Sequence, residues 1–202
     1  LFRFNFNRQC SNAIEPSIIV IKKNIIDGKV AGFDESGMRI KGKLNWLHVA
    51  RNAKNTYYEI HAKRGTKAMD AIGILTEFKG TAVHDHWKSY YIYKNCKHGL
   101  CNAHHLRELE FVETRHSQSW ATKLADSLVE INDMVKAHKE EGKSTLDAKI
   151  LNKLDRKYSR ILREGKDEVF SLPTPAQGKR GKAKQHKAQN LWCRLREYKQ
   201  DT

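Results

Sequence analysis

The stretch Gly80-Thr-Ala-Val-His-Asp-His-Trp-Lys-Ser-Tyr90 predicts the strand around which the rest of the chain is arranged. Its apolar start is typical of a short buried strand, which ends on Asp85 between two histidines. A carboxylate at the carboxyl end of an apolar strand is poorly placed for a core and well placed for a site. We therefore expect Asp85 to take part in the chemistry of this protein.

An earlier stretch, Val30-Ala-Gly-Phe-Asp-Glu-Ser-Gly37, has the same form, with a short apolar run that leads into Asp34 and Glu35. Two strands that each deliver an acid at their end suggest one metal site, because Mg²⁺ prefers oxygen ligands and usually takes only one or two carboxylates. The alternative is that Asp34 and Asp85 merely begin turns, and the pattern alone does not separate the two interpretations. Glu35 is better explained as a neighbouring or solvated acid than as a third ligand.

The segments between these two stretches predict antiparallel strands followed by a helix. The helix begins near Thr66, continues through an apolar body to Phe78, and leads directly into the Asp85 strand. A helical crossover favours a last strand parallel to the first, which brings the carboxyl ends of both strands together. The predicted strands are Lys29–Phe33, a hairpin of Met38–Ile40 with Lys43–Val49 around Lys41-Gly42, and Thr56–His61.

This order of elements matches ribonuclease-H-like nucleases and integrases. We expect an α/β fold, in which a ribonuclease-H-like mixed sheet carries a large all-α insertion after the second acid-bearing strand. From Trp87 onward we predict no further strands, and the periodicity favours helices over Trp87–Tyr93, Cys101–Glu113, Ser119–Glu141, Ser144–Glu164 and Ala188–Gln200.

Four segments follow from this pattern. Residues 1–28 form a lead-in with a helix over Ile14–Ile26, and residues 29–95 form a partial catalytic core. Residues 96–170 are the helical insertion, and residues 171–202 are a basic linker with the start of a C-terminal helix.

Composition indicates a nucleic-acid partner. The 202 residues contain 38 Lys and Arg against 23 Asp and Glu, a formal charge of +15 that favours a polyanion through counterion release. The chain has four cysteines and neither a secretory leader nor an apolar run of the roughly 20 residues that span a bilayer. We therefore expect reduced thiols, no membrane contact and a cytoplasmic, nucleoid-associated protein.

Basic residues cluster in three places that could follow a phosphate backbone. One precedes the predicted helix, one adjoins the tyrosines that follow Asp85, and one is a run near the carboxyl terminus. Ordinary solvation explains any single lysine equally well, so the clustered run is the strongest of the three. The candidate DNA-binding residues are Lys63, Arg64, Lys88, Lys179, Arg180, Lys182, Lys184 and Lys187.

A second candidate metal site lies in Cys96-Lys-His-Gly-Leu-Cys-Asn-Ala-His-His105. Zinc could be held by Cys96 and Cys101 together with His104 or His105, with His98 as a further ligand. Zinc sites usually offer two clear ligand pairs, and this cluster offers one loose pair. Buried cysteines and helix-capping histidines are the simpler interpretation.

Six short motifs follow one another between Asp34 and Leu109. They are Asp34-Glu-Ser-Gly-Met-Arg-Ile40, Trp46-Leu-His-Val-Ala50, Lys63-Arg-Gly65, Asp70-Ala-Ile-Gly-Ile-Leu75, Val83-His-Asp-His-Trp87 and Leu100-Cys-Asn-Ala-His-His-Leu-Arg-Glu-Leu109. In this order and spacing they strongly resemble the catalytic domain of bacterial transposases of the insertion sequence 66 family. The resemblance is dense over Val30 to Leu109 and looser to the end of the chain.

The resemblance implies a ribonuclease-H-like fold with an Asp, Asp, Glu triad that binds magnesium or manganese. Asp34 matches the first acid and Asp85 the second. Cys101 and His104 match a Cys-x-x-His signature, for which a structural or DNA-contacting role is expected. Ser36 stands where relatives more often have Thr. The implied partners are DNA, at transposon ends and target, and further copies of the chain in a synaptic complex.

The third acid of the family lies in an Asn-x-x-Ala-Glu-Arg-type motif, which does not occur before Thr202. Together with a first residue that is Leu, this predicts a truncated transposase, inactive alone in phosphodiester hydrolysis and strand transfer. The alternative is a non-catalytic nucleic-acid-binding or zinc-stabilised module, a decayed remnant of such an enzyme.

Overall fold

The computed structural model describes the backbone of residues 2–173 and 185–202 and the side chains from residue 6 onward within these ranges. Two compact units make up the chain, Leu1–Cys101 and Asn102–Thr202. The first contains a five-stranded mixed sheet and the second is helical. The predicted α/β fold class is confirmed, and the arrangement is compatible with a ribonuclease-H-like fold that carries a helical insertion.

The sheet has the strand order β3-β2-β1-β4-β5. Strands β1, β2 and β3 are antiparallel neighbours, whereas β4 is parallel to β1 and β5 is parallel to β4. The predicted parallel pairing of the two acid-bearing strands is therefore confirmed. The strands are β1 Val30–Ile40, β2 Lys43–Arg51, β3 Thr56–His61, β4 Thr81–His84 and β5 Lys97–Leu100.

Helices account for most of the remaining described residues. No helix in these ranges is long and apolar enough to cross a membrane. The helices are α1 Phe2–Ile26, α2 Thr66–Ile72, α3 Ile74–Glu77, α4 Asn102–His116, α5 Ser119–Glu140, α6 Ala148–Glu164, α7 Lys166–Phe170 and α8 Lys187–Glu197, with 3₁₀ turns at Tyr90–Ile92 and Lys199–Asp201.

Strand β1 is longer than the sequence predicts. Lys29–Phe33 and Met38–Ile40 were predicted as separate strands, but one strand runs through both and pairs with β2 from Gly32 to Ile40. The residues between the two predicted strands are extended as well, because Glu35, Ser36 and Gly37 pair with β2. The predicted hairpin around Lys41-Gly42 is confirmed, because both residues have positive φ, as a tight two-residue turn requires.

Three further predictions need correction. The helix from Thr66 to Phe78 is interrupted at Gly73, whose φ of 75° ends α2 and begins α3. Trp87–Tyr93 is not a helix and contains only the 3₁₀ turn. Strand β5 was not predicted, because Lys97-His-Gly-Leu100 has only one buried apolar residue and owes its conformation to pairing with β4.

Each unit has its own core. In the first, β1, β2 and β4 pack their buried faces against α2, α3 and the carboxyl end of α1 around Phe33 and Phe78. In the second, helices α4 to α8 enclose Trp120, whose indole Nε1 donates to Gln118 Oε1 at 2.7 Å. Burial of these large side chains is the main stabilising contribution in both units.

Gly165, between α6 and α7, allows Trp120 to approach the backbone closely. A Cβ atom at residue 165 would lie 2.3 Å from Trp120 Cβ. Gly165→Ala is therefore expected to destabilise the helical unit by about 1 to 3 kcal/mol, measured by urea unfolding. Gly37→Ala is the control, since the nearest atom would be Leu44 Cδ1 at an ordinary 3.5 Å. Equal unfolding midpoints for the two variants would contradict this account of Gly165.

Candidate active site

The register of β1 and β4 brings the two candidate acids to the same end of this strand pair. Val30 pairs with Thr81 and Gly32 with Val83, so the same register extended by two positions brings Asp34 opposite Asp85. Neighbouring strands lie about 4.8 Å apart, and residues two positions apart share one face. Asp34 therefore shares a face of the sheet with Gly32, and Asp85 shares it with Val83, the last paired residues of the two strands.

Asp85 lies as predicted, directly after the end of β4. Asp34 does not end its strand, because β1 continues to Ile40, and that part of the prediction is wrong. What ends near Asp34 is the pairing of β1 with β4, whose last paired positions are Gly32 and Val83. The Asp34 side chain, two residues beyond the last paired position, is exposed.

Local hydrogen bonds fix one oxygen of each aspartate. Asp34 Oδ1 accepts from the backbone N–H of Glu35 at 2.9 Å, and Asp85 Oδ1 accepts from the backbone N–H of Trp87 at 2.8 Å. Within the described residues, neither Oδ2 atom accepts a hydrogen bond. Each carboxylate is thus oriented and still has an oxygen that can bind a cation.

Glu35 is held away from this role by its own partners. Its side chain is only 1% exposed, Arg64 Nε donates to its Oε1 at 2.7 Å, and the hydroxyl of Tyr90 donates to its Oε2. Of the two interpretations from sequence, a solvated acid is wrong and a neighbouring acid is right. Because both oxygens are engaged, Glu35 acts here as an internal anion that binds two side chains.

Arg64 links the segments that carry the two aspartates. Its guanidinium lies 4.9 Å from the centre of the Trp46 ring on β2 and 4.2 Å from that of Trp87, two residues after Asp85. Sequence alone suggested a DNA contact for Arg64, whereas the structure shows it between two indoles and paired with Glu35. Its contacts therefore join β1, β2 and the loop after β4.

The pKa of Tyr90 is influenced by the nearby carboxylates. Burial raises the pKa of its hydroxyl far above the ordinary value, and the charge of Glu35, its hydrogen bond, and the charges of Asp85 and Asp34 raise the pKa further. The phenol therefore stays protonated and donates to Glu35. Since all three acids act on one phenol, Glu35, Asp34 and Asp85 all lie near Tyr90.

Two histidines, His84 and His98, form a pair next to Asp85 and Tyr90. The buried His84 ring stacks on Tyr90 at 4.4 Å, and its two nitrogens contact the backbone oxygen of Asp85 and, at 2.9 Å, Nδ1 of His98. Nε2 of His98 in turn contacts the backbone oxygen of Tyr93 at 3.1 Å. The two outer nitrogens face carbonyl oxygens, which only accept hydrogen bonds, so both of these nitrogens donate.

The structure separates the residues of the predicted zinc site. Cys96 and Cys101 flank the two ends of β5, about 16 Å apart along an extended strand, so they cannot bind one ion at Zn–S distances near 2.3 Å. His98 uses both ring nitrogens as described, and His105 Nδ1 contacts Asn102 Oδ1 at the start of α4. In the described ranges, no group of three or more His, Cys, Asp or Glu side chains could hold a metal ion.

The candidate DNA-binding residues are spread over the chain. Lys63, Lys88 and Lys187 are exposed, and Lys187 Nζ lies 4.8 Å from the centre of the Phe111 ring. Lys179, Arg180, Lys182 and Lys184 lie outside the described residues. DNA contact by any of these residues remains a prediction.

Sequence reasoning missed the network that supports the two aspartates. Tyr90 was included only as an aromatic residue near a basic one, and Trp46 only as a strand residue. The sequence did contain a signal for this network, because Trp46, Lys63-Arg64 and Trp87 all belong to the motifs quoted above.

Comparison with known proteins gives one match that covers nearly the whole chain. A family model described as "Transposase IS66 family" matches residues 4–202. No curated protein and no solved structure gives a significant match.

Proposed function

The chain belongs to the IS66 family of transposases, and we propose that it carries the metal-dependent site that cuts and joins DNA at the ends of an insertion sequence. The family makes the chain a transposase-related, DNA-processing protein with DNA as its partner. The reaction that we propose is hydrolysis of a phosphodiester followed by strand transfer from the freed 3′-hydroxyl, with Asp34 and Asp85 as the catalytic acids.

The parallel register of β1 and β4 carries this proposal. An antiparallel pairing or a shifted register of β1 and β4 would separate Asp34 from Asp85. The observed pairing leads both residues to the same end of the two strands. The charges of both aspartates also raise the pKa of Tyr90, which supports their proximity. If Asp34 and Asp85 only began turns, there would be no reason for both to lie near the buried Glu35.

Magnesium, or manganese in its place, is the cation that fits these residues. Mg²⁺ is usually held by one or two carboxylates, with waters and substrate phosphates as its other ligands. Each aspartate has one oxygen oriented by a backbone N–H and a second oxygen for a cation. When bound, the metal would lower the pKa of an attacking water and offset the charge that develops on the phosphodiester.

The surrounding side chains position the two aspartates. Arg64 and Tyr90 both donate to Glu35 on β1, and Trp87 packs on Arg64 from the loop after β4. This network restrains the loop that begins at Asp85 relative to the strand that contains Asp34. A catalytic constellation needs such restraint, since small displacements of the reacting groups slow the reaction.

Basic residues would supply the contacts with the DNA backbone. We propose that Lys63, Lys88 and the run from Lys179 to Lys187 bind phosphates at transposon ends and target, with further copies of the chain in the synaptic complex. Binding through phosphates weakens steeply with salt. A zinc-stabilised module is a poorer proposal, because Cys96 and Cys101 are too far apart to share an ion.

Metal binding tests the proposal directly on residues 1–202. Titration with Mn²⁺, followed by its electron paramagnetic resonance signal, should show binding that Asp85→Asn and Asp34→Asn each weaken by at least about tenfold. Asp27→Asn is the matched control, because Asp27 is exposed and follows α1 outside the cluster. Equal Mn²⁺ affinity in all four proteins would refute the assignment of the two aspartates as ligands.

A further inference from the structure

Helix α6 carries basic side chains along one face at helical spacing. Lys149, Lys153, Arg156, Arg160 and Arg163 recur at steps of three and four residues, and all five are exposed. At 100° per residue they lie within an arc of about 80°. The buried residues Leu154, Tyr158, Ile161 and Leu162 lie on the opposite side of the same helix.

We propose that this α6 basic stripe binds the phosphate backbone of DNA and forms a second contact surface, separate from the acidic cluster. The proposal rests on the DNA partner of the proposed function and does not depend on Asp34 or Asp85. The five residues define the stripe, and the neighbouring cations described below extend it.

Helix stability does not explain the stripe. Like charges three and four residues apart destabilise a helix, whereas a solvated face usually alternates Glu with Lys at these spacings. Within the described residues, Lys149, Lys153, Arg156 and Arg163 form no ion pair, and Arg160 has only Glu164 at 3.9 Å. The other acid of α6, Asp155, is paired with Lys199. The charge of the stripe is therefore largely uncompensated.

The dimensions of the stripe fit a nucleic-acid strand. From Lys149 to Arg163 the helix rises about 21 Å, at about 1.5 Å per residue. Phosphates of one DNA strand advance about 3.4 Å each along the duplex axis, so the stripe can face about six of them. We commit to DNA because its phosphates repeat regularly along a line and because the chain belongs to a family of DNA-processing proteins.

The positive surface continues past the end of the stripe. A hollow of about 370 Å³ is lined by Arg163 together with Lys166, Arg196 and Lys199, beside the Trp192 ring. Among the described residues, no carboxylate lines this hollow, and of its four cations Lys199 is paired with Asp155. It offers a space large enough to admit phosphate at the end of the row, where a backbone that follows α6 would arrive.

Salt-dependent DNA binding by residues 1–202 tests the surface. Each phosphate contact contributes about 0.9 to the slope of log K against log salt, which is about eightfold in affinity at 0.1 M salt relative to 1 M. Lys153→Gln with Arg156→Gln should therefore lower the slope by roughly 1.8 and weaken binding to a duplex about sixtyfold at 0.1 M salt. Gln keeps the helix propensity of both positions.

The matched control is Lys123→Gln with Lys139→Gln, which removes the same charge from exposed positions of α5. An equal loss in both double variants would show a general charge effect and overturn the proposal, as would an unchanged slope in the α6 variant. A wild-type chain that binds an acidic polypeptide but no DNA would overturn it in favour of a protein partner. Metal binding measured in the α6 variant should equal that of the wild type, so failure here is distinguishable from failure of the acidic site.

Discussion

Replacing Asp85 by Asn is expected to reduce transposition by at least about 10³-fold, measured with the gene product that contains this chain and a marked element. The substitution removes a negative charge and leaves the shape of the side chain nearly unchanged. The amide oxygen can still accept the N–H of Trp87 that Asp85 Oδ1 accepts at 2.8 Å, so the loop keeps its conformation. The loss would therefore reflect metal binding rather than folding.

Asp34→Asn should give a loss of similar size, because Asp34 is the other proposed ligand and its Oδ1 bond to the N–H of Glu35 can also be kept. DNA binding should be retained in both variants, since neither removes a positive charge. Asp27→Asn is the control and should transpose normally. Normal transposition in either variant would show that the substituted aspartate is not a catalytic metal ligand.

The sequence predicted most of what local patterns can determine. An apolar strand that ends on Asp85, preceded by a helix, leads to parallel pairing with β1 by the handedness of crossovers, and the structure confirms it. The hairpin at Lys41-Gly42 followed from turn residues in the same way. Strand β5 could not be predicted, because its four residues are held by β4 rather than by their own pattern.

The supporting network depends on contacts that are distant in sequence. Glu35 was interpreted as a neighbouring or solvated acid, and its burial becomes favourable only because Arg64, 29 residues later, and Tyr90, 55 residues later, both donate to it. No periodicity indicates which basic residue pairs with which acid. The same limit explains why the pairing of Arg64 with Glu35 was not predicted and why Cys96 and Cys101, close in sequence, were considered for one site.

The pair of Glu35 and Arg64 should respond unequally to removal of its two members. Arg64→Ala is expected to destabilise the sheet unit by about 3 kcal/mol, because it leaves a buried carboxylate with no cation. Glu35→Gln should cost only about 1 kcal/mol, because the Arg64 side chain is 38% exposed and water can solvate it, whereas the Glu35 side chain is 1% exposed. Both variants remove the same ion pair, and Arg64→Ala additionally removes the contacts of the guanidinium with the Trp46 and Trp87 rings.

Hydrogen exchange of the β1 and β4 amides measures this effect within the sheet unit, without contribution from the helical unit. The double variant Arg64→Ala with Glu35→Gln should be more stable than Arg64→Ala alone, because it no longer contains an unpaired buried charge. Lys67→Ala, at an exposed position of α2, controls for loss of a positive charge. Equal costs for the two single variants, or a double variant whose cost is their sum, would show that Glu35 is not the buried anion around which this part of the site is organised.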